Sequence, residues 1–225
     1  MKKTLLAAFC LAAFPAAAQV SWYAGASGGS ARTDNEIVAN REATIVNASN
    51  ISTAFDERDT AWKLFAGARL NRIVGLELAY ADLGRSRLDT RLLGGDPPFP
   101  AGIAIDRKVK TFGADLVLFA PLGVERFDLF GKAGYYRTKL DASASLSGNI
   151  QFSNGDPAER SRASSRREDT FHWGLGAQYA LTRNLAVRAE YERFTSVGKP
   201  FAVGGSGTTG QADIDLVSVG VVYRF

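Results

Sequence analysis

The side chains that could carry chemistry in this sequence are charged residues set singly among apolar ones. In segments such as "VGLELAY" and "LAVRAEY", an acid or a base recurs on the face opposite the leucines and valines. A buried charge is costly unless it is paired. If this polar face is enclosed, we therefore expect its members to form a network of ion pairs. The predicted network is Arg69, Glu77, Asp115, Lys132, Arg188 and Glu190, with Lys63 and Gln178 on the same face.

Nucleophilic catalysis has little support in the sequence. It needs a nucleophile held beside a base that a third group orients, whereas the chain has a single histidine, His172, between Phe171 and Trp173. Alternation turns His172 toward the polar face, so we expect it to join the charge network. A lone histidine does not make a usual zinc site either. We therefore predict no catalytic residues, no metal site and no cofactor.

A basic segment is the second candidate site. "RSRASSRRED" (160–169) places four arginines between acidic flanks. Guanidinium groups bind phosphate well because they donate hydrogen bonds in a planar fork. We interpret the segment as a contact for lipopolysaccharide or another polyanion, with an ordinary solvated loop as the alternative. The arginines concerned are Arg160, Arg162, Arg166 and Arg167.

The first residues set the compartment in which these groups act. "MKKTLLAAFCLAAFPAAAQV" has a basic start, an apolar run of ten residues and a small-residue cleavage site, which is the order of a secretory signal peptide. We predict that residues 1–18 are cleaved and that 19–225 form one domain. Cleavage removes the only cysteine, Cys10, and lowers the formal charge from +4 to +2 because Lys2 and Lys3 are lost. The modest basicity that remains gives no reason to expect nucleic-acid binding.

The elements that must position the charges are strands, because the apolar residues repeat with a period of two. Eight candidate strands alternate with long and short connections. This rhythm predicts an all-β fold, an eight-stranded antiparallel up-and-down transmembrane β-barrel with short periplasmic turns and four long extracellular loops. The strands are 20–31, 59–70, 73–84, 107–120, 126–140, 167–180, 185–196 and 213–225, and the loops are 32–58, 85–106, 141–166 and 197–212.

A soluble sandwich could show the same alternation. The barrel is favoured because the polar face is rich in glycine, as a crowded lumen requires, and because aromatic residues lie near both ends of the apolar face. We expect a lower girdle and an upper one. The lower would hold Trp22, Tyr179, Tyr223 and Phe225, and the upper Trp62, Tyr80, Phe112, Phe171 and Tyr191.

The final segment, "VSVGVVYRF", also fits a barrel. The last strand must pair with the first to close it, which would place Phe225 at the periplasmic rim facing lipid. An alternating strand that ends on Tyr223 and Phe225 is typical of the signal read by the outer-membrane assembly machinery. We therefore predict an integral protein of the outer membrane of a Gram-negative cell.

Three segments carry a family resemblance: "RIVGLELAYADLGR" (72–85), "GAQYALTRNLAVRAEYERF" (176–194) and "SVGVVYRF". They resemble the eight-stranded transmembrane domain typified by outer membrane protein A and its porin-family relatives. The resemblance implies the same barrel, and it implies that Glu77 and Arg188 correspond to a pair discussed as the gate of a narrow ion path. Because the chain stops at Phe225, we expect the peptidoglycan-binding domain of some relatives to be absent.

The function expected from the sequence is structural and surface-interactive: membrane integrity, and adhesion or host contact through the extracellular loops. The alternative is a narrow gated channel for ions or small solutes. A lipid-modifying enzyme is disfavoured, since outer-membrane lipid A deacylases place a serine two residues after their histidine and this chain has Gly174 there. Expected partners are outer-membrane lipid, lipopolysaccharide, the assembly machinery and a host or surface ligand. We expect a monomer.

Overall fold

The computed structural model describes most of the chain beyond the predicted signal peptide. The peptide, 1–18, and much of the loops predicted at 32–58 and 197–212 lie outside the described residues. The described ranges are 20–33, 50–56, 58–94, 99–123, 126–148, 160–197, 201–202, 208–209 and 212–225.

Antiparallel strands make up the fold. They are β1 (Ser21–Thr33), β2 (Asn50–Asp56), β3 (Arg58–Arg69), β4 (Val74–Gly94), β5 (Phe99–Ala120), β6 (Phe127–Ser147), β7 (Ser161–Ala180), β8 (Leu185–Val197), β9 (Phe201–Ala202), β10 (Thr208–Thr209) and β11 (Ala212–Arg224). Eight of them close into a barrel in the order β1-β3-β4-β5-β6-β7-β8-β11, with β11 returning to β1. The short β2 pairs with the far part of β4, and β9 pairs with β10.

Closure joins the two ends of the barrel sequence, as predicted. The β1–β11 ladder runs without interruption from Tyr23 opposite Arg224 to Thr33 opposite Ile214. The backbone N–H of Phe225 also donates to the carbonyl oxygen of Trp22 at 3.0 Å. A closed sheet leaves no edge with unpaired backbone groups, which is the condition for placing strands in lipid.

Three short turns connect barrel strands at one end, which we call the turn end; the opposite one is the loop end. In the turn after β3, the Asn71 side chain accepts hydrogen bonds from the backbone N–H groups of Ile73 and Val74, at 2.8 and 2.7 Å. In the turn after β7, the Thr182 hydroxyl accepts from Asn184 and Leu185. Such side-chain caps are the usual means by which Asn and Thr close a tight turn.

The two faces of the barrel wall differ as the alternation predicts. Lumen-facing side chains are buried, whereas the exterior carries a continuous apolar band. So large an apolar exterior is typical of a surface covered by lipid. Among its exposed members are Leu64, Leu78, Leu116, Leu175, Val217 and Val219.

Aromatic residues border this band at both ends; of the predicted girdle members, Tyr80 and Tyr191 are only partly exposed. At the turn end, Trp22 is 62% exposed and Phe225 is 76% exposed. The girdle nearer the loop end also includes Tyr135, which the sequence did not single out and which packs edge-on against Phe171 with ring centroids 5.6 Å apart.

The predicted loop 85–106 is wrong over most of its length, and the predicted loop 141–166 is wrong at both of its ends, because β4, β5, β6 and β7 continue into them. Backbone pairing extends to Gly94 opposite Phe99 and to Ser145 opposite Ser161. Beyond the apolar band both faces of a strand meet water, so the sequence loses its alternation although the hydrogen-bonded ladder persists. A bulge between Asp82 and Arg85, with Gly84 at φ 81°, carries β4 past the point where its pattern breaks.

No helix in the described part of the chain is long and apolar enough to cross a membrane.

Neighbouring glycines on β1 allow closure of the barrel to be tested. A Cβ on Gly29 would strike the carbonyl oxygen of Val217 and lie 2.7 Å from the Cα of Ser218, both on β11. A Cβ on Gly28 would meet only the carbonyl oxygen of Ala61, at 3.9 Å. We expect Gly29→Ala to lower the free energy of unfolding by about 1–3 kcal/mol through overpacking.

Urea unfolding of the refolded barrel, followed by the mobility of unboiled protein on a gel, measures the difference. Gly28→Ala is the control, and its effect should stay within about 0.5 kcal/mol. Equal effects of the two substitutions would contradict the close β1–β11 contact.

Candidate functional site

Charged side chains from six strands meet at the centre of the lumen. Alternation directs each of them inward, and the strand registers bring them to one level; Glu77 on β4, for example, lies opposite Asp115 on β5. None of them is more than 4% exposed. We call this group the central network. It consists of Lys63, Glu77, Asp115, Lys132, His172, Arg188, Glu190 and Glu192.

Two lysines hold the carboxylates together. The Lys132 ammonium lies 3.3 Å from Glu77, 2.8 Å from Glu190 and 2.7 Å from Glu192. The Lys63 ammonium, on the other side of the lumen, contacts Glu190 and lies 2.6 Å from Glu192. Because these partners come from β3, β4, β6 and β8, the ion pairs tie distant walls of the barrel to one another.

Arg188 forms the predicted pair with Glu77. Its guanidinium donates to Glu77 Oε2 at 2.6 Å and to the side-chain oxygen of Gln178 at 3.0 Å. The rings of Phe65 and Phe130 lie within 4.6 and 4.7 Å of the guanidinium carbon, where cation–π attraction adds to the ion pair. Glu77 is not held by Arg188 alone, since the Tyr23 hydroxyl also donates to it at 3.0 Å.

Asp115 and His172 are bound to each other within the network. Asp115 accepts a hydrogen bond of 2.6 Å from the Tyr136 hydroxyl and lies 2.8 Å from Nδ1 of His172. The other ring nitrogen, Nε2, is 3.2 Å from Glu192 without the alignment of a hydrogen bond. The imidazole packs between Tyr136 and Phe194 at ring distances of 4.6 and 4.5 Å. His172 is thus part of the central network.

Counting the permanent charges gives an excess of carboxylates. The network contains three permanently charged cations, Lys63, Lys132 and Arg188. It contains four carboxylates, Glu77, Asp115, Glu190 and Glu192. His172 stands between two of those carboxylates, Asp115 and Glu192. Cations are therefore the scarce component of this lumen.

Arg69 was predicted in the same network and lies elsewhere. Its guanidinium contacts both carboxylate oxygens of Asp128 at 3.2 Å near the turn end, and it stacks on Phe119. Arg224 reaches the same carboxylate at 3.3 Å. Arg69 thus belongs to a separate, partly exposed group, because its place at the end of β3 is too far along the strand from Lys63.

Glu192 is the network member that the sequence prediction missed. The recognised alternation on β8 stopped at Tyr191, although continuing it by one step turns Glu192 and then Phe194 into the lumen, where both are fully buried. Extending the same alternation beyond Tyr191 would have predicted that Glu192 faces the lumen. The lumen tyrosines were also missed, since tyrosine is equally common in a girdle.

Two neighbouring arginines of the basic segment, Arg166 and Arg167, lie on opposite faces of the barrel wall. β7 begins at Ser161, so the segment is largely strand rather than loop, and successive side chains point to opposite faces. Arg166 lines a cavity of about 240 Å³ at the loop end of the lumen, whereas Arg167 is exposed on the exterior opposite Lys139. Arg160 donates to the carbonyl oxygen of Gly148 at 2.9 Å, and Arg162 pairs with Ala144 in the ladder.

The two residues predicted as an assembly signal lie at the turn end. Tyr223 and Phe225 are exposed on the exterior, with ring centroids 5.2 Å apart.

Comparison with known proteins finds a matching family model and several relatives in sequence. Residues 4–225 match the family model described as outer membrane protein beta-barrel domain. The chain is 28% identical over 235 residues to outer membrane protein A of Shigella flexneri and 30% identical over 236 residues to that of Salmonella typhi. In both cases the match covers 100% of this chain and 56% of the relative, so the chain spans about half the length of the curated relatives it matches.

A solved structure shows the same fold. The crystal structure of Neisserial surface protein A superposes with a TM-score of 0.54 at 17% sequence identity. The superposition covers 92% of this chain and 99% of that one.

Because carboxylates are in excess, loss of a cation should destabilise the barrel more than loss of a carboxylate. Lys132→Gln leaves two permanent cations against four carboxylates, and we expect it to lower the free energy of unfolding by about 3–5 kcal/mol, as removal of one partner from a buried pair does. Glu192→Gln leaves three against three, and its cost should be less than half as large. Urea titration of both variants in the same lipid vesicles measures the difference; equal costs would contradict the charge count.

Proposed function

This chain belongs to the outer membrane protein beta-barrel domain family, and we propose that it acts as a closed structural barrel that presents a long outer portion at the cell surface. It is an integral β-barrel of the Gram-negative outer membrane. The turn end is then periplasmic and the loop end extracellular, as in barrels of this type. The proposed roles are membrane integrity and contact with a host or surface ligand.

The central network is the observation that carries this proposal. Its charged side chains cross the lumen from β3, β4, β6 and β8, and each is at most 4% exposed. An eight-stranded barrel is only wide enough for side chains to fill its interior. A lumen filled by mutually bound charges favours a barrel that is closed to solutes. The exterior and the loop end are then the surfaces through which the protein meets other molecules.

The length of the strands supports a surface role. The β5–β6 ladder continues from Phe112, in the upper girdle, to Gly102 opposite Ser147. Ten residues of strand reach roughly 30 Å. This paired extension is stiffer than a loop and would hold its own far end well away from the lipid. We also propose that Tyr223 and Phe225 are read by the assembly machinery, since both are exposed at the periplasmic end.

A gated channel is the second candidate, because the Glu77–Arg188 pair does occur, at 2.6 Å. Opening would require Arg188 to leave Glu77 for another carboxylate. Glu190 is available at 3.8 Å. Against this candidate, Glu77 also binds Lys132 and Tyr23, so release of Arg188 alone leaves the lumen occupied.

A lipid-modifying activity has less support. A histidine base must have one ring nitrogen directed at a nucleophile. In His172 both nitrogens face carboxylates, those of Asp115 and Glu192, and the ring is fully buried.

Conductance separates the plug from the channel. We expect the refolded wild-type barrel and Glu77→Ala both to be silent in a planar bilayer, because Lys132, Arg188 and the aromatic rings around them still fill the lumen. Arg85→Ala, outside the membrane, is the control for handling of the protein. Stable opening of Glu77→Ala, with brief openings of the wild type, would move the channel to first place.

Shortening one hairpin tests the surface role. Arg87 pairs with Asp106, so residues 88–105 can be replaced by Asn-Gly, the preferred two-residue hairpin turn. We expect the shortened protein to insert and to keep the dye permeability of the cell at the wild-type level, while attachment of the cells to cultured epithelium falls. Attachment at the wild-type level would remove this hairpin from the surface role, and the permeability assay shows whether the barrel itself is intact.

A further inference from the structure

Three basic residues stand side by side on the exterior of β5, β6 and β7. Lys110 lies directly opposite Lys139, and Lys139 lies directly opposite Arg167. All three share the exterior parity of their strands with the lipid-facing residues Phe112, Tyr135 and Phe171. We call Lys110, Lys139 and Arg167 the cationic row.

The cationic row is unfavourable in isolation. Like charges directly opposite each other on neighbouring strands destabilise a sheet, and here two such pairs follow in succession. Strands lie about 4.8 Å apart, so the three cations span roughly 10 Å. Such an arrangement becomes favourable when an anion with several acceptor oxygens binds between the cations.

Nearby carboxylates neutralise the row only in part. Asp82 lies 3.9 Å from the Lys110 ammonium but is shared with Lys108 at 3.5 Å. Asp141 accepts from Lys139 at 2.8 Å, and this hydrogen bond holds the pKa of the Asp141 carboxyl below its usual value, so it stays ionised. Among the described residues, none forms an ion pair with the Arg167 side chain.

The next step toward the loop end adds more positive charge. Arg85 and Lys108 lie opposite each other, followed by Asp141 on β6. Together with the cationic row, this makes five cations against the two carboxylates of Asp82 and Asp141. Beside them lies a hollow of about 720 Å³, to which Arg85, Arg87, Asp106, Arg107, Lys108 and Asp141 contribute.

The height of the row on the barrel indicates what anion it meets. On β5 it lies two residues beyond Phe112, and on β6 four residues beyond Tyr135, both in the upper girdle. Aromatic girdles mark the level of lipid headgroups. Below the girdle the same strands present Leu116 and Leu175, which are 48% and 60% exposed. An anion bound by the cationic row would therefore lie directly above an apolar surface that acyl chains can cover.

We propose that the cationic row binds the phosphate groups of lipopolysaccharide in the outer leaflet, with the acyl chains lying on the apolar face beneath and the sugars at the hollow beside Lys108. The proposal rests on the proposed orientation, in which the loop end is extracellular. It replaces the linear arginine segment with a site built across three strands. Arg167 is the one arginine of that segment that takes part, and Lys110 and Lys139 come from separate parts of the chain.

The test compares two triple substitutions of equal charge in the refolded full barrel. Lys110→Gln, Lys139→Gln and Arg167→Gln together remove the row. Arg72→Gln, Arg126→Gln and Arg183→Gln together remove three exposed cations from the turn end and serve as the control. The probes are purified lipopolysaccharide, the same material with its phosphates removed, and heparin as a soluble polyanion. Native mass spectrometry in detergent micelles measures the fraction of barrel with bound probe.

We expect lipopolysaccharide to bind the wild type and the control equally. Its affinity for the row variant should be lower by a factor of about ten or more, because charge-assisted hydrogen bonds to phosphate are lost. Removal of the phosphates should weaken binding to the wild type by a similar factor. Equal binding by the row variant and the wild type would overturn the proposal. So would loss of heparin binding while lipopolysaccharide binding is retained, since the row would then face a soluble polyanion.

Gel mobility and conductance of the same preparations show whether a failure concerns the cationic row or the proposed function. A heat-dependent mobility shift in the row variant shows that the barrel is closed, so weaker binding reports on the row. A conducting wild type would instead count against the plug, whatever the lipid result.

Discussion

Charges that are removed from water must find partners, and in this barrel that requirement links the walls across the lumen. Lys132 on β6 reaches Glu77 on β4 and Glu192 on β8, while Lys63 on β3 reaches the same Glu192 from the other side. A slip of one residue in any of these strands would turn its charge toward lipid. The network therefore fixes the register of the barrel more than it adds net stability, since desolvation offsets much of the attraction between buried ions.

Small residues and aromatic rings make room for this arrangement. Gly174 and Gly176 on β7 leave space for the Lys132 stem and the Phe130 ring, which a Cβ at either position would meet within contact distance. The rings of Phe65 and Phe130 in turn flank the Arg188 guanidinium. The lumen is thus packed as a core whose centre is ionic, and its exterior is left to the lipid.

The barrel presents two chemically different regions to its surroundings. Between the girdles the exterior is apolar, as closure in a membrane demands. Beyond the upper girdle, β4 to β7 continue as a paired sheet with both faces wet, and here charged residues such as Lys110 and Arg167 occupy exterior positions. In this second region the wall can contact phosphates and sugars, and this is where we place the proposed surface role.

The sequence by itself determined the strand period, the faces, the eight barrel strands and the inward direction of Glu77, Lys132 and Arg188, because side-chain alternation is a local property of a strand. It did not determine where β4 to β7 end, since hydrogen bonds between strands continue where alternation stops. Nor could it pair Lys63 with Glu192, separate Arg69 from the network, or set Lys110 beside Lys139 and Arg167. Those neighbours lie far apart in the chain, and only the register of the closed barrel brings them together.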